Sequence, residues 1–134
     1  MIATSTMSGP QVSFVTSNGG ATWTAQNRYI FTARFDPHDR TGQRAFGYVS
    51  HSPDAGLYES RDGGFTWTRF ANTPSEVNHE SNFGVRITEI VWHPVEPNTM
   101  YMAASGGYAW KSVDGGRNWR TIFTVKQMRS IATP

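Results

Sequence analysis

One eight-residue pattern occurs three times in this chain: Thr16-Ser17-Asn18-Gly19-Gly20-Ala21-Thr22-Trp23, Ser60-Arg61-Asp62-Gly63-Gly64-Phe65-Thr66-Trp67 and Ser112-Val113-Asp114-Gly115-Gly116-Arg117-Asn118-Trp119. A motif that returns at a near-constant interval signals a repeated supersecondary unit. The Gly-Gly pair supplies the positive φ angles of a tight hairpin. Asp62 and Asp114 can accept hydrogen bonds from N–H groups of the turn, and Asn18 can do much the same. The closing Trp23, Trp67 and Trp119 each offer a large apolar body to pack between layers and one N–H to satisfy. The third copy departs mildly, with Asn118 where the others carry threonine.

Alternating segments flank each turn. An aromatic stands two residues ahead of the Ser/Thr in every copy: Phe14, Tyr58 and Trp110. Period-two placement puts it on the same strand face as that hydroxyl residue. Further short strands follow at 66–70 and 118–123. A second landmark also repeats: Ala33-Arg34-Phe35-Asp36-Pro37 parallels Ile90-Val91-Trp92-His93-Pro94. Each is an apolar strand stopped by a proline, which cannot donate to a ladder. Ser130-Ile131-Ala132-Thr133-Pro134 reads as a third copy. The strand after the proline, such as Met100-Tyr101-Met102-Ala103-Ala104-Ser105, is matched by Met1-Ile2-Ala3-Thr4-Ser5-Thr6.

The octapeptide resembles the Asp-box, or BNR repeat, of β-propellers, found in sialidases, the GH74 xyloglucanase-like hydrolases, the sortilin (Vps10) group and Ycf48-type assembly factors. The resemblance implies an all-β fold of propeller blades, each of four antiparallel strands, here called A to D from the axis outward. The tryptophans are spaced by roughly 44 and 52 residues, which suits one blade per period. The chain then reads B-C-D at about 1–27, A-B-C-D at about 28–71 and again at about 86–125, and a further strand A at about 128–134. It forms a single propeller segment over 1–134, three blades permuted by one strand. Propellers close with about four to eight blades. The ring therefore needs either the remainder of a longer chain or a homo-oligomer, two copies making a six-bladed ring with twofold symmetry.

Strand direction sorts the loops. The Asp-box turns and the proline turns share one face, while the B–C and D–A loops share the other. Asp36, His38, Asp39, His93 and Glu96 look like a cluster when read linearly. They fall in equivalent turns of different blades, where turn chemistry explains them. Asn18, Trp23, Ser60, Asp62, Gly64, Trp67, Ser112, Asp114, Gly116 and Trp119 are read as structural. In Asp-box hydrolases the boxes lie away from the substrate face, and the resemblance implies the same here. The candidate ligand face is the opposite one, with its long polar loop 71–86, because binding residues concentrate on loops held by a rigid scaffold. Asp54, Glu76, His79, Glu80 and Arg86 could meet around a cleft there, with Tyr108 and Phe83 offering rings to a sugar.

Composition narrows the classes. The net charge is +2 and the basic residues are scattered singly, whereas a phosphate footprint needs clustering. Nucleic acid is not an expected partner. There is no cysteine, so disulfides and thiolate zinc sites are excluded. No apolar stretch approaches a membrane span, and Met1 to Pro10 lacks the basic start and apolar core of a signal peptide. Neither a cofactor nor a metal is expected: there is no phosphate-binding glycine loop or His-Glu-x-x-His helix, and the histidines lack ligand spacing.

Two functions compete. One is a binding or scaffold module directed at a polysaccharide or a protein, as in the non-catalytic relatives. The other is part of a GH74-like glycoside hydrolase, with carboxylates such as Asp54, Glu76 and Glu80 flanking the bond. No catalytic residue can be assigned. The sialidase Arg-Ile-Pro motif is absent, since Thr88 follows Arg86-Ile87. The resemblance implies an extracellular or periplasmic setting.

Overall fold

A computed structural model describes residues 2–4, 13–26, 29–49, 55–74, 77 and 86–123. Among the described residues there is no helix, and so none long and apolar enough to cross a membrane. The strands are β1 (Ile2–Thr4), β2 (Ser13–Val15), β3 (Thr24–Ala25), β4 (Phe31–Phe35), β5 (Ala45–Val49), β6 (Gly56–Ser60), β7 (Thr68–Arg69), β8 (Ile87–Trp92), β9 (Met100–Ala104), β10 (Tyr108–Ser112) and β11 (Arg120–Phe123). They form three antiparallel meanders, β1-β2-β3, β4-β5-β6-β7 and β8-β9-β10-β11. The expected segment at 128–134 lies outside the described residues. The chain divides into two compact units, Met1–Phe70 with the first two sheets and Ala71–Pro134 with the third.

In the first unit the middle strands carry the core. Every residue of β5 is buried, as are four of the five in β6, while β7 is exposed. Ile30, Val49 and Tyr58 cluster, with Ala33 and Trp67 against them. Gly47 is required by packing, because a Cβ there would overlap the Ile30 side chain and lie 3.2 Å from the Trp67 ring. Phe46 stacks on Phe70 at 5.3 Å.

Polar side chains join the first sheet to the second. The fully buried Ser13 hydroxyl accepts from the Ile30 N–H at 2.7 Å and donates to the Ile30 carbonyl at 3.2 Å. With its amide nitrogen turned toward the second sheet, buried Gln26 donates to the carbonyls of Phe65 at 2.9 Å and Gly64 at 3.2 Å. A bare Gly64 admits Ile2, since a Cβ there would be 2.8 Å from Ile2 Cδ1.

In the second unit, Ile87, Ile90, Met100, Met102 and Trp110 are each at most 1% exposed and make the apolar interior. Tyr108 lies over Trp110 with ring centroids 5.6 Å apart and planes 7° from parallel. The pairing of β4 with β5 and of β8 with β9 shifts register near the start of β4 and of β8. In β4 this bulge puts Thr32 at φ 52°, an uncommon conformation for a β-branched residue.

Candidate functional site

Each octapeptide folds into the same turn. Its two glycines have positive φ in every copy, 70° and 91°, 78° and 96°, and 73° and 89°. The hydroxyl residue two places before the Asp/Asn position is the hub. Thr16, Ser60 and Ser112 accept from the N–H of the second glycine at 3.0, 2.8 and 2.9 Å. The same hydroxyls donate to Asn18, Asp62 and Asp114 at 2.9, 2.9 and 2.8 Å. The acid or amide then accepts the N–H four residues on, from Thr22, Thr66 and Asn118. Trp67 and Trp119 close their turns by donating Nε1–H to the carbonyls of Gly64 and Gly116, both at 2.9 Å. Trp23 differs: its ring lies over Gly20 and it is 41% exposed.

These bonds set the charge states. Burial alone would raise the Asp62 carboxyl, but hydrogen bonds from Thr66, Ser60 and Phe65 outweigh it and hold it below the ordinary aspartate value. Asp114 is lowered chiefly by the Asn118 side chain, which donates at 2.8 Å.

The proline segments share this end of the sheets. Gly63 N–H donates to the Gln43 carbonyl at 2.8 Å, and Gly115 N–H donates to the Asn98 carbonyl at 2.9 Å. Each turn is thus tied to the β4–β5 or β8–β9 loop of its own sheet. The residues that look catalytic in the linear sequence act locally here. Asp36 accepts from the His38 N–H and pairs with Arg44 at 3.1 Å, while Arg44 reaches Glu59 at 3.4 Å and Glu59 also meets Arg61. His93 Nδ1 accepts from the N–H groups of Val95 and Glu96, and Glu96 accepts from the Thr99 hydroxyl. Asp39 accepts from the Thr41 hydroxyl at 2.7 Å and from the N–H groups of Thr41, Gln43 and Arg44, which lowers its carboxyl to about 2. No three His, Asp or Glu among the described residues are placed to hold a metal ion.

A cleft of about 280 Å³ opens at the turn end of the first unit. Thr16, Ser17 and Gly19 of the first turn line one side, and Asp62, Gly63 and Phe65 of the second turn line another, with Phe35, Gly42 and Gln43 between them. No sequence signal singled this place out, apart from a phenylalanine at a motif position where the other copies have Ala21 and Arg117.

Of the ligand-face candidates, Arg86 and Tyr108 are described, while Asp54, Glu76, His79 and Glu80 lie outside the described residues, as does Phe83. Arg86 is exposed at the start of β8, and its backbone is paired with Ser105, N–H to Oγ at 3.0 Å and carbonyl from the Ser105 N–H at 2.9 Å. Ile87 and Tyr108 both face Ala104 of β9, from either side. Arg86 and Tyr108 therefore share the end of the sheet away from the Asp114 turn. One face of the Tyr108 ring is taken by Trp110.

No family model matches the chain. Over 70 residues it is 34% identical to a protein of Neosartorya fischeri named "Probable oligoxyloglucan-reducing end-specific xyloglucanase". The match takes in 52% of this chain and 8% of that much longer protein, so the likeness is to a small part of it.

Proposed function

We propose that the chain is a segment of an Asp-box β-propeller and acts as a carbohydrate- or protein-directed binding module. The observation that supports the carbohydrate-directed part of this reading is the 34% identity over 70 residues with a protein named as a xyloglucanase. The propeller part is supported by four-stranded antiparallel meanders whose last hairpin is the same turn. On this reading the blades run over about 1–27, 28–71 and 86–125, with 128–134 belonging to a further blade. Ring closure then comes from a second copy of the chain or from the rest of a longer one. The resemblance also supports an extracellular or periplasmic location.

The proposed ligand face is built from the D–A loop with Glu76, His79, Glu80 and Arg86 and from the B–C loops with Asp54 and Tyr108. The relative's printed name favours a second reading, a fragment of a glycoside hydrolase. That chemistry needs two carboxylates roughly 5–9 Å apart across the scissile bond. One experiment separates the readings. The protein is titrated calorimetrically with xyloglucan oligosaccharides, and new reducing ends are measured in the same samples. Binding without new reducing ends is the expected outcome. Cleavage that is lost in Glu76→Gln or Glu80→Gln would transfer the chain to the hydrolases. Neither binding nor cleavage would remove the carbohydrate reading.

A further inference from the structure

We propose that the cleft between the first and second turns of the first unit is a second carbohydrate subsite, with Phe65 as its stacking platform. This rests on the carbohydrate-directed reading, and the cleft lies at the turn end of the first unit.

The turn does not require an aromatic at this position, because the other copies fold with Ala21 and Arg117 there. Phe65 is nonetheless present and 38% exposed. A lone apolar side chain in water is ordinary on a protein surface; what sets Phe65 apart is that it lines the cleft together with Gln43 and Asp62. Its backbone is held from two sides. The N–H donates to Asp62 Oδ1 at 3.0 Å, and the carbonyl accepts from Gln26 of the neighbouring sheet at 2.9 Å. The backbone that carries the ring is thus held before a ligand arrives, which lowers the entropy lost on binding.

Hydrogen-bond acceptors lie beside the ring. Asp62 Oδ1 is used by Ser60, Phe65 and Thr66, whereas Oδ2 takes the Thr66 hydroxyl and keeps a lone pair for another donor. The Gln43 side-chain oxygen lies over Gly63, 3.3 Å from where a Cβ would stand. Its amide nitrogen reaches the Thr41 carbonyl at 3.3 Å. The bond from its nitrogen orients the Gln43 amide and leaves its oxygen as the acceptor offered to a ligand. An apolar ring flanked by a carboxylate and an amide suits a neutral polyol, which presents a C–H face and a rim of hydroxyl donors. It repels anions. The Asp62 charge is largely committed to its own turn, which favours the polyol over an organic cation. A volume of about 280 Å³ lies just under the usual range for ligand pockets and suits about one sugar ring.

The test uses the full chain, calorimetry with xyloglucan oligosaccharides, and amide chemical shifts. Phe65→Ala is expected to weaken binding about tenfold and Phe65→Tyr to retain it. Gln43→Ala is expected to weaken it severalfold while its backbone bond to Gly63 persists. Added oligosaccharide should move the amide signals of Gly63, Phe65 and Gln43. Unchanged thermal melts for Phe65→Ala would show that the loss is not one of folding. Full affinity in both Phe65→Ala and Gln43→Ala, with loss only in Tyr108→Ala, would overturn the subsite and leave the carbohydrate reading intact. No binding by the unaltered chain would remove both. Movement of the same signals by arginine methyl ester, and not by sugar, would reassign the cleft to a cationic ligand and overturn the proposal.

Discussion

Ser60 and Asp62 divide the N–H groups of their turn between them, and Ser112 and Asp114 do the same. In the first copy Asn18 does the acid's work, accepting from the Thr22 N–H at 2.9 Å and donating to its hydroxyl at 2.8 Å. Asp62→Ala removes the acceptor of those exposed N–H groups and is expected to lower stability by about 1 kcal/mol in urea unfolding. Asp62→Asn should recover most of that, because the chain already runs one copy on an amide. Acid supplies a second probe. Asp39 is lowered to about 2, first by the Thr41 hydroxyl and then by N–H groups of its loop, and Asp62 and Asp114 are lowered as well. A depressed carboxyl stabilises the fold fully above its unfolded pKa, near 4, and loses that contribution as pH falls through its folded value. Urea midpoints measured from pH 5 downward should fall below about pH 4 and keep falling toward 2, and Asp39→Asn should flatten the curve. A midpoint that held steady to pH 2 would contradict these hydrogen bonds. The conspicuous acids were legible as turn residues from their spacing to glycine and proline. The hub role of the hydroxyl was less visible, because only geometry shows one oxygen both donating to the acid and accepting from a glycine.

At the scale of elements, the strand order was readable because each turn has a fixed neighbour: an aromatic strand before it, a short strand after it, a proline-stopped strand elsewhere in the period. What joins one sheet to the next was not readable. Ser13 and Ile30 are far apart in sequence, and nothing in Ser13-Phe14-Val15 announces that a serine will serve the backbone of another sheet. The other copies carry Leu57 and Ala109 at that place. Ser13→Ala leaves both backbone groups of Ile30 buried without that partner. It is expected to remove about 2 kcal/mol and to raise amide exchange along β1 and β2 before β5 and β6. Gly47→Ala is expected to lower stability by about 1–3 kcal/mol, since its methyl meets Ile30 and the Trp67 ring inside a filled core. Equal melting of this variant and the parent would show that the core can yield there. The cleft escaped the sequence reading for the same reason as Ser13: two turns and a loop that make it are brought together only by sheet packing.

For the whole molecule, the proposed propeller has more closing to do than this chain supplies, and mass in solution decides how. Light scattering is expected to give twice 14.9 kDa if two copies complete the ring. A monomer across the accessible concentration range would leave completion to further sequence in a longer chain. One detail of the turns bears on how such a chain changes over generations. The Gly63–Gln43 and Gly115–Asn98 bonds are nearly the same length although the periods that contain them differ by several residues. That end of the sheet behaves as a clamp, indifferent to how much chain is spliced in at the other. New sequence can therefore be tried between β7 and β8, where the second period is longest, while the clamped hairpins go on folding as before. A lineage built this way could exchange one loop for another and inherit its frame unchanged.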